Sequence, residues 1–270
     1  MPLEKVNGLK LYYELHGSGE TVALLNGIFM NTSSWTAQDS LLQRHYQVVL
    51  HNFRDQKRSD RSSAEYSMKT HAEDFMALLE RLEIERVHVV GTSYGGEVAM
   101  MFAHLFPETV RSLSLITTVS EIHYELELIV RRWIRAAETH DVISFVDEWL
   151  ADVYSYDFLQ MNREKLVPKI MKLYEECDFE AAIRLCRCFL RLVDDPLTPY
   201  LGEIRCPVLL IAADQDAVKP QKYSRIIASQ VPTAEFHTVR DAGHALFIEK
   251  PEHLNTLLLG FLKKISKKRT

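Results

Sequence analysis

Six short runs of apolar residues, separated by segments of helical character, constrain the fold of this chain more than any other feature. The runs are TVALL at 21–25, YQVVLHN at 46–52, RVHVVG at 86–91, VRSLSLITT at 110–118, CPVLLIAAD at 206–214 and AEFHTV at 234–239. They lack strict alternation, which is typical of strands buried on both faces of a parallel sheet. An Asn7-Gly8 turn predicts an N-terminal hairpin as well. We therefore expect an α/β fold, with a mostly parallel twisted sheet of about eight strands flanked by helices.

One crossover helix is predicted at residues 70–82, THAEDFMALLERL. Its apolar residues recur at helical spacing. Thr70 and Glu73 match the Thr-x-x-Glu capping box, so the pattern predicts a helix that begins at Thr70.

The alternation of strands and helices stops between LSLITT and CPVLLIAAD. Residues 122–195 contain no clear strand run and are rich in helix formers. We interpret residues 120–200 as an inserted helical lid, and residues 1–119 and 201–270 as the core. Ligands of open α/β sheets bind beyond the carboxyl ends of the strands, so we expect the lid to contribute to substrate selectivity.

Charge and apolar patterning exclude two classes of partner. The formal net charge is −5, and Lys and Arg cluster only in the C-terminal segment KKISKKRT, at 263–270, which we expect to be solvated and frayed. Nucleic-acid binding requires clustered cations, so no nucleic acid is expected as a partner. No run of about 18 apolar residues predicts a membrane span, and the first residues do not resemble a signal peptide. A cytoplasmic protein is the expectation.

The cysteines and histidines give no indication of a metal site. Cys177, Cys186, Cys188 and Cys206 form no CxxC pair and are expected to be free thiols. The eleven histidines include no HExxH spacing. We expect neither a metal nor another cofactor.

A serine lies between two glycines in VHVVGTSYGGEVAM, at residues 87–100. Ser93 follows a predicted strand and precedes a predicted helix, with Gly91 and Gly95 two positions to either side. A sharp strand-to-helix turn leaves no room for side chains at the flanking positions and exposes the hydroxyl above the sheet. This setting predicts that Ser93 is a nucleophile, which requires a base and an orienting acid.

Here the chain resembles the α/β-hydrolase family over nearly its whole length. Gly-His before an apolar stretch and Pro-Glu, in GHALFIEKPEHL, matches the family's histidine with His244. The family's acid follows a late strand, and LLIAADQDAVKP presents Asp216 there, with Asp214 as the neighbouring candidate. The resemblance therefore implies Ser93, Asp216 and His244 as the catalytic residues. His51, His88 and His237 are expected to be structural.

The resemblance also implies two backbone donors for an oxyanion. They are the N–H groups of Tyr94, after the nucleophile, and of Ile28, in the loop after TVALL. The family carries His-Gly in that loop, whereas this chain has Asn26-Gly27, as enol-lactone hydrolases of the family do.

The segment at 52–60, NFRDQKRSD, resembles the family's Asp-x-Arg-Gly-x-Gly-x-Ser loop. Asp55 and Lys57 replace both glycines, so a different backbone course or a strained one is expected. Arg54 is expected to form a structural ion pair.

The predicted activity is hydrolysis of a carboxylic ester, a lactone or a thioester through an acyl-enzyme, with a small-molecule acyl substrate. LLNGIFMNTSSW and YQVVLHNF also resemble the rhamnolipid-precursor synthase, a member of the fold that joins β-hydroxyacyl chains from thioesters. That resemblance leaves acyl transfer open. A non-catalytic small-molecule-binding member and a cofactor-free oxygenase are further alternatives.

The predicted lid contains features that bear on partners. Arg184, Arg187 and Arg191 share one helical face, interpreted as a solvated stripe rather than a dock for coenzyme A or a carrier protein. A homodimer is left open. Several large residues could line an acyl pocket or fill the core: Trp133, Trp149, Tyr154, Phe158 and Met161.

Overall fold

One sheet of eight strands runs through residues 2–267, the part of the chain that the computed structural model describes. The strands are β1 (Leu3–Val6), β2 (Leu9–His16), β3 (Thr21–Leu25), β4 (Gln47–His51), β5 (Val87–Thr92), β6 (Val110–Ile116), β7 (Val208–Ala213) and β8 (Ala234–Val239). Their order is β1-β2-β4-β3-β5-β6-β7-β8. The β1–β2 and β2–β4 pairs are antiparallel and all others are parallel. The predicted fold class is confirmed.

Burial explains why the apolar runs form the central strands. Every residue of β3, β5 and β7 is buried, so these strands are covered on both faces. The N-terminal hairpin has an exposed turn at Asn7 and Gly8, which both have positive φ, as that turn requires.

Ten α-helices occur in the same residues. They are α1 (Thr36–Leu42), α2 (Met68–Arg81), α3 (Tyr94–Leu105), α4 (Tyr124–Glu138), α5 (Val142–Val153), α6 (Tyr156–Tyr174), α7 (Phe179–Leu190), α8 (Gln221–Gln230), α9 (Leu246–Glu249) and α10 (Pro251–Lys267). Short 3₁₀ helices lie at Thr32–Trp35, Arg191–Val193 and Thr198–Glu203.

The predicted start of α2 at Thr70 was wrong. The helix begins at Met68, with Ser67 as its N-cap. The backbone N–H of Ser67 donates to Thr70 Oγ1 at 3.3 Å. Thr70 therefore occupies the third helical position. Its hydroxyl accepts the hydrogen bond from the backbone N–H of the N-cap residue, which is the role that the predicted capping box gave to Glu73.

Four helices, α4 to α7, form the segment between β6 and β7. α4 packs on α5 and α7, and α5 packs on α6. Phe29, in the loop after β3, lies 5.1 Å from Phe145 of α5 and 5.8 Å from Trp133 of α4, ring centre to ring centre. The helical content matches the expectation, while the division into core and lid stays a prediction.

The end of the chain is more ordered than expected. α10 continues to Lys267, Ile265 is buried in it, and Lys264 pairs with Glu235 at 2.6 Å. The prediction of a frayed segment is therefore wrong for residues 263–267, and its last part, 268–270, lies outside the described residues. No helix within residues 2–267 is both long enough and apolar enough to cross a membrane.

Candidate active site

Ser93 lies at the turn between β5 and α3. Its backbone has φ 50° and ψ −120°, a conformation that non-glycine residues rarely adopt. The Ser93 N–H donates to the carbonyl of Ile116 in β6 at 2.8 Å, which fixes the turn against the sheet. Structural strain at this position agrees with the strand-turn-helix prediction, and the hydroxyl lies beyond the carboxyl end of the strand.

A continuous hydrogen-bonded row joins Ser93, His244 and Asp216. His244 Nε2 lies 2.8 Å from Ser93 Oγ, and His244 Nδ1 lies 2.8 Å from Asp216 Oδ2. Because a buried carboxylate accepts from Nδ1–H, Nε2 is left as the acceptor for the serine hydroxyl. Asp214, the neighbouring candidate, is exposed, and its carboxylate contacts the backbone N–H of Ala242 at 3.5 Å.

Backbone groups hold the carboxylate of Asp216 in place. Its Oδ1 accepts from the N–H groups of Val218 at 2.9 Å and Lys219 at 2.8 Å, and its side chain is fully buried. Oδ2 is thereby left for His244. The loop after β7 is a compact turn built around this carboxylate, which is why the acid keeps one orientation.

The two proposed oxyanion donors line the same cavity as Ser93 and His244. Within residues 2–267 the N–H of Ile28 donates no hydrogen bond. The N–H of Tyr94 is the first of α3 and has no acceptor within that helix. A Cβ placed on Gly27 would lie 3.7 Å from the Cβ of Ser93, so the loop after β3 passes beside the serine.

Two buried amide side chains, those of Asn26 and Gln56, support that loop. Asn26 donates to the carbonyl of His51 at 2.9 Å and accepts from the indole N–H of Trp35 at 3.0 Å. Gln56 donates to the carbonyls of Gly27 at 2.9 Å and Ile28 at 3.2 Å. The 52–60 segment thus holds the loop after β3 through Gln56, a role that the sequence did not indicate.

The backbone of the 52–60 segment is strained, one of the two alternatives expected for it. Asp55 and Lys57 have φ of 66° and 39°. Asp55 accepts two hydrogen bonds from Arg184 of α7, at 3.0 and 2.7 Å, and Lys57 donates to the carbonyl of Leu173 in α6 at 2.8 Å. The residues that replace the family's glycines therefore connect this loop to the inserted helices. Arg54 forms the predicted ion pair, with Asp74 at 2.7 Å.

The interpretation of the arginines as a solvated stripe was wrong for Arg184, because its partner Asp55 is fully buried. Arg187 lies 3.7 Å from the exposed Glu65, and Arg191 is exposed. These two arginines agree with the solvated interpretation.

An apolar cavity of about 140 Å³ lies above Ser93. Trp133, Trp149 and Tyr154 line it, which is one of the two roles considered for them from the sequence. Phe158 instead stacks on Tyr154, with ring centres 5.6 Å apart, and Met161 is 80% exposed. Besides tyrosines, the titratable residues that line the cavity are Lys219 and His244. With so few charged groups in its wall, the cavity suits an apolar group.

Other histidines lie elsewhere in the sheet. His51 stacks on Phe75 in the core, and burial lowers its pKa to about 3. His88 lies 2.7 Å from the hydroxyl of Ser112, and His237 is exposed on β8. Within residues 2–267 no group of three or more His, Cys, Asp or Glu side chains could hold a metal ion, and the cysteines described are free thiols.

Three buried side chains around the site escaped the sequence analysis. Glu97 and Lys219 form an ion pair, and Glu249 accepts from the backbone N–H of Gly243, next to His244, at 3.1 Å. Glu97 had a visible signal, since it is a lone charge between the Gly-Gly pair and the apolar stretch that follows. The positions of Lys219 and Glu249 depend on contacts distant in sequence.

A parallel sheet with a strained serine after β5, an acid after β7 and a histidine after β8 defines the α/β class of hydrolases. The profile of the alpha/beta hydrolase fold matches residues 20–181. The chain belongs to the α/β-hydrolase fold family.

Several known proteins are similar to this one. RutD of Azorhizobium caulinodans, a proposed carbamate hydrolase, is 28% identical, with 98% of this chain and 99% of that protein covered. An uncharacterized protein of Mycobacterium tuberculosis is 36% identical, with 95% and 79% covered. The enol-lactonase of Burkholderia xenovorans LB400 superimposes with a TM-score of 0.88 at 22% identity, covering 97% of this chain and 100% of that one. The named functions among these relatives are hydrolytic.

Proposed function

We propose that this protein is a serine hydrolase that cleaves a carboxylic ester, a lactone or a thioester without a cofactor. The observation that carries the proposal is the hydrogen-bonded row from Asp216 through His244 to Ser93, which ends at the wall of an apolar cavity. A receptor-like member of the fold has no need of all three groups in this order. The row therefore favours catalysis over binding alone.

In the first half of the reaction, Ser93 Oγ attacks the carbonyl carbon of the substrate while His244 Nε2 takes the hydroxyl proton. The N–H groups of Ile28 and Tyr94 stabilise the negative oxygen of the tetrahedral intermediate. His244 then gives its proton to the leaving alcohol, thiol or ring oxygen. The carbon–oxygen or carbon–sulfur bond breaks, and the acyl group stays on Ser93.

In the second half, His244 takes a proton from water, whose oxygen attacks the acyl carbon. The tetrahedral intermediate forms again, and its collapse returns the proton to Ser93 and releases the acid. Asp216 accepts from Nδ1–H throughout, which stabilises the imidazolium that forms in each half.

The test is a covalent adduct. Incubation with a fluorophosphonate, which phosphonylates activated serines, should add one phosphonyl group, and peptide mapping should place it on Ser93. Ser93→Ala is the control and should stay unlabelled. Wild-type protein with no adduct, and with no cleavage of p-nitrophenyl esters of any acyl length, would contradict the proposal.

The products identify the acceptor of the acyl group. Release of the free acid as the main product supports hydrolysis. Formation of a new ester when a β-hydroxy acid is added, in place of free acid, would favour the acyltransferase alternative.

Carbamate hydrolysis is a second candidate, favoured by the similarity to RutD over nearly the whole chain. The same serine attack on a carbamate carbonyl would give a carbamoyl-enzyme. Comparison of p-nitrophenyl esters with p-nitrophenyl carbamates at one concentration would rank the two substrate classes.

We further propose that residues 120–200 act as a lid whose helices set the acyl chain length. Ile170 of α6 and Val130 of α4 both line the cavity. Ile170→Ala should move the preferred acyl chain to a length greater by about two carbons, because it removes three buried carbon atoms. Val130→Phe should shorten it, since the added ring fills the same space. Values of kcat/KM across p-nitrophenyl esters with acyl chains of about two to twelve carbons would measure both shifts. Unchanged profiles in both well-folded variants would contradict the lid proposal.

A further inference from the structure

The ion pair between Glu97 and Lys219 lies under the candidate active site. Lys219 Nζ is 2.9 Å from each carboxylate oxygen of Glu97, and the side chains are 3% and 0% exposed. Burial lowers the pKa of the Lys219 ammonium, and the carboxylate of Glu97 opposes that shift. Buried ion pairs contribute little net stability because desolvation offsets their attraction. A role other than stability would account for this one.

Glu97 connects the serine with the end of the next strand. It lies one helical turn after Ser93 on α3. Its Oε1 accepts from the backbone N–H of Val119 at 3.0 Å and from the hydroxyl of Thr118. Thr118 Oγ1 also lies 3.0 Å from the carbonyl oxygen of Ser93. The carboxylate therefore joins the loop after β6 to the turn that presents the serine.

Lys219 connects the same carboxylate with the acid. Its backbone N–H is one of the two donors to Asp216 Oδ1, while its side chain reaches Glu97. The strands that precede these segments, β5, β6 and β7, are neighbours in the sheet. One ion pair thus links the loops that carry Ser93 and Asp216.

A closed ring results. It runs from Ser93 to His244 and Asp216 by side-chain hydrogen bonds, along the chain to Lys219, across the ion pair to Glu97, and along α3 back to Ser93. The ring gives the serine and the acid two connections, one through His244 and one through the ion pair and α3.

We propose that Glu97 and Lys219 are positioning residues that hold the Asp216–His244 arm in register with Ser93. The inference rests on the proposed serine-hydrolase function. Lys219 also lines the cavity, and its ammonium lies 4.5 Å from the ring centre of Phe189 in α7. A positioning role predicts an effect on kcat, whereas direct binding of an anionic substrate by Lys219 predicts an effect on KM.

The experiment compares the neutral double variant Glu97→Gln/Lys219→Met with wild-type protein. Removing both charges avoids an unpaired buried ion, so the variant is expected to fold. Its kcat for a neutral p-nitrophenyl ester should fall at least about tenfold, because small misplacements of catalytic groups are costly, while KM stays within about twofold. The rate of Ser93 labelling by the fluorophosphonate should fall in parallel.

Glu235→Gln/Lys264→Met is the matched control. It neutralises an exposed ion pair between β8 and α10 and should change neither kcat nor the labelling rate. If the double variant of the buried pair does not fold, Lys219→Met alone takes its place, because it breaks the link between the Asp216 loop and Glu97 while the Glu97 carboxylate keeps its donors at Val119 and Thr118. The same loss of kcat is expected.

The outcomes separate the inference from the function on which it rests. Wild-type protein that is neither active nor labelled would overturn both. Labelled wild-type protein with undiminished kcat in the folded variant would overturn the positioning role alone. A loss confined to KM would also overturn it and assign Lys219 to substrate binding.

Discussion

Replacing Asp216 with Asn is expected to lower kcat by about four orders of magnitude while the protein stays folded. The N–H groups of Val218 and Lys219 face Oδ1, so the carboxamide oxygen of the variant would remain there. Its NH₂ group would then face His244 Nδ1 and donate to it. That bond favours the tautomer with a proton on Nε2, which cannot accept the proton of Ser93.

Asp214→Asn is the matched control, two residues earlier in the same loop. Its exposed carboxylate has no bond to His244, so kcat should change by less than about threefold. Steady-state kinetics with one p-nitrophenyl ester, together with thermal unfolding, would measure both variants. If Asp214→Asn were the inactive one, the assignment of the acid would be wrong.

The sequence predicted the strands well because their apolar content has one main cause, which is burial within the sheet. Residues of β3, β5 and β7 are buried on both faces, so each run had to be apolar throughout. The run AEFHTV corresponds residue for residue to β8. Ser93 was also predictable, since a glycine-flanked serine between a strand and a helix specifies its own local geometry.

What the sequence missed depends partly on overlapping local signals and mostly on contacts between distant segments. The start of α2 depends on a bond between Ser67 and Thr70, and two capping patterns overlapped there. The helical position of Arg184 indicated solvent exposure, but its carboxylate partner lies 129 residues away at Asp55. Glu97 and Lys219 are likewise 122 residues apart, so neither charge indicated the other's position.

Asn26 illustrates a substitution whose consequence only the fold could give. From the sequence, an asparagine in place of the family's histidine left open how the loop after β3 is supported. In the structure, Asn26 lies among buried amide and carbonyl groups and Gln56 holds the loop's carbonyls. The support comes from the segment at 52–60, which the family pattern had left without a role.

Replacing Gly95 with Ala is expected to cost more than about 4 kcal/mol of the free energy of unfolding and to abolish activity. A Cβ at this position would lie 2.2 Å from the carbonyl oxygen of Leu25 and 2.7 Å from that of Asn26. Both neighbours are backbone atoms, so a side-chain rotation cannot relieve the clash. Relief requires α3 to move away from β3, which separates Ser93 from the Ile28 N–H.

Gly260→Ala is the control for the same chemical change without the clash. Gly260 is exposed within α10, and a Cβ there meets no atom within 4 Å. Alanine is favoured over glycine in helix interiors by about 1 kcal/mol, so this variant should be slightly more stable and fully active. Denaturant unfolding and ester hydrolysis measure both effects. A Gly95→Ala protein with wild-type stability and activity would show that the turn after β5 does not need the close approach of α3 to β3, and would remove the physical reason for the glycine.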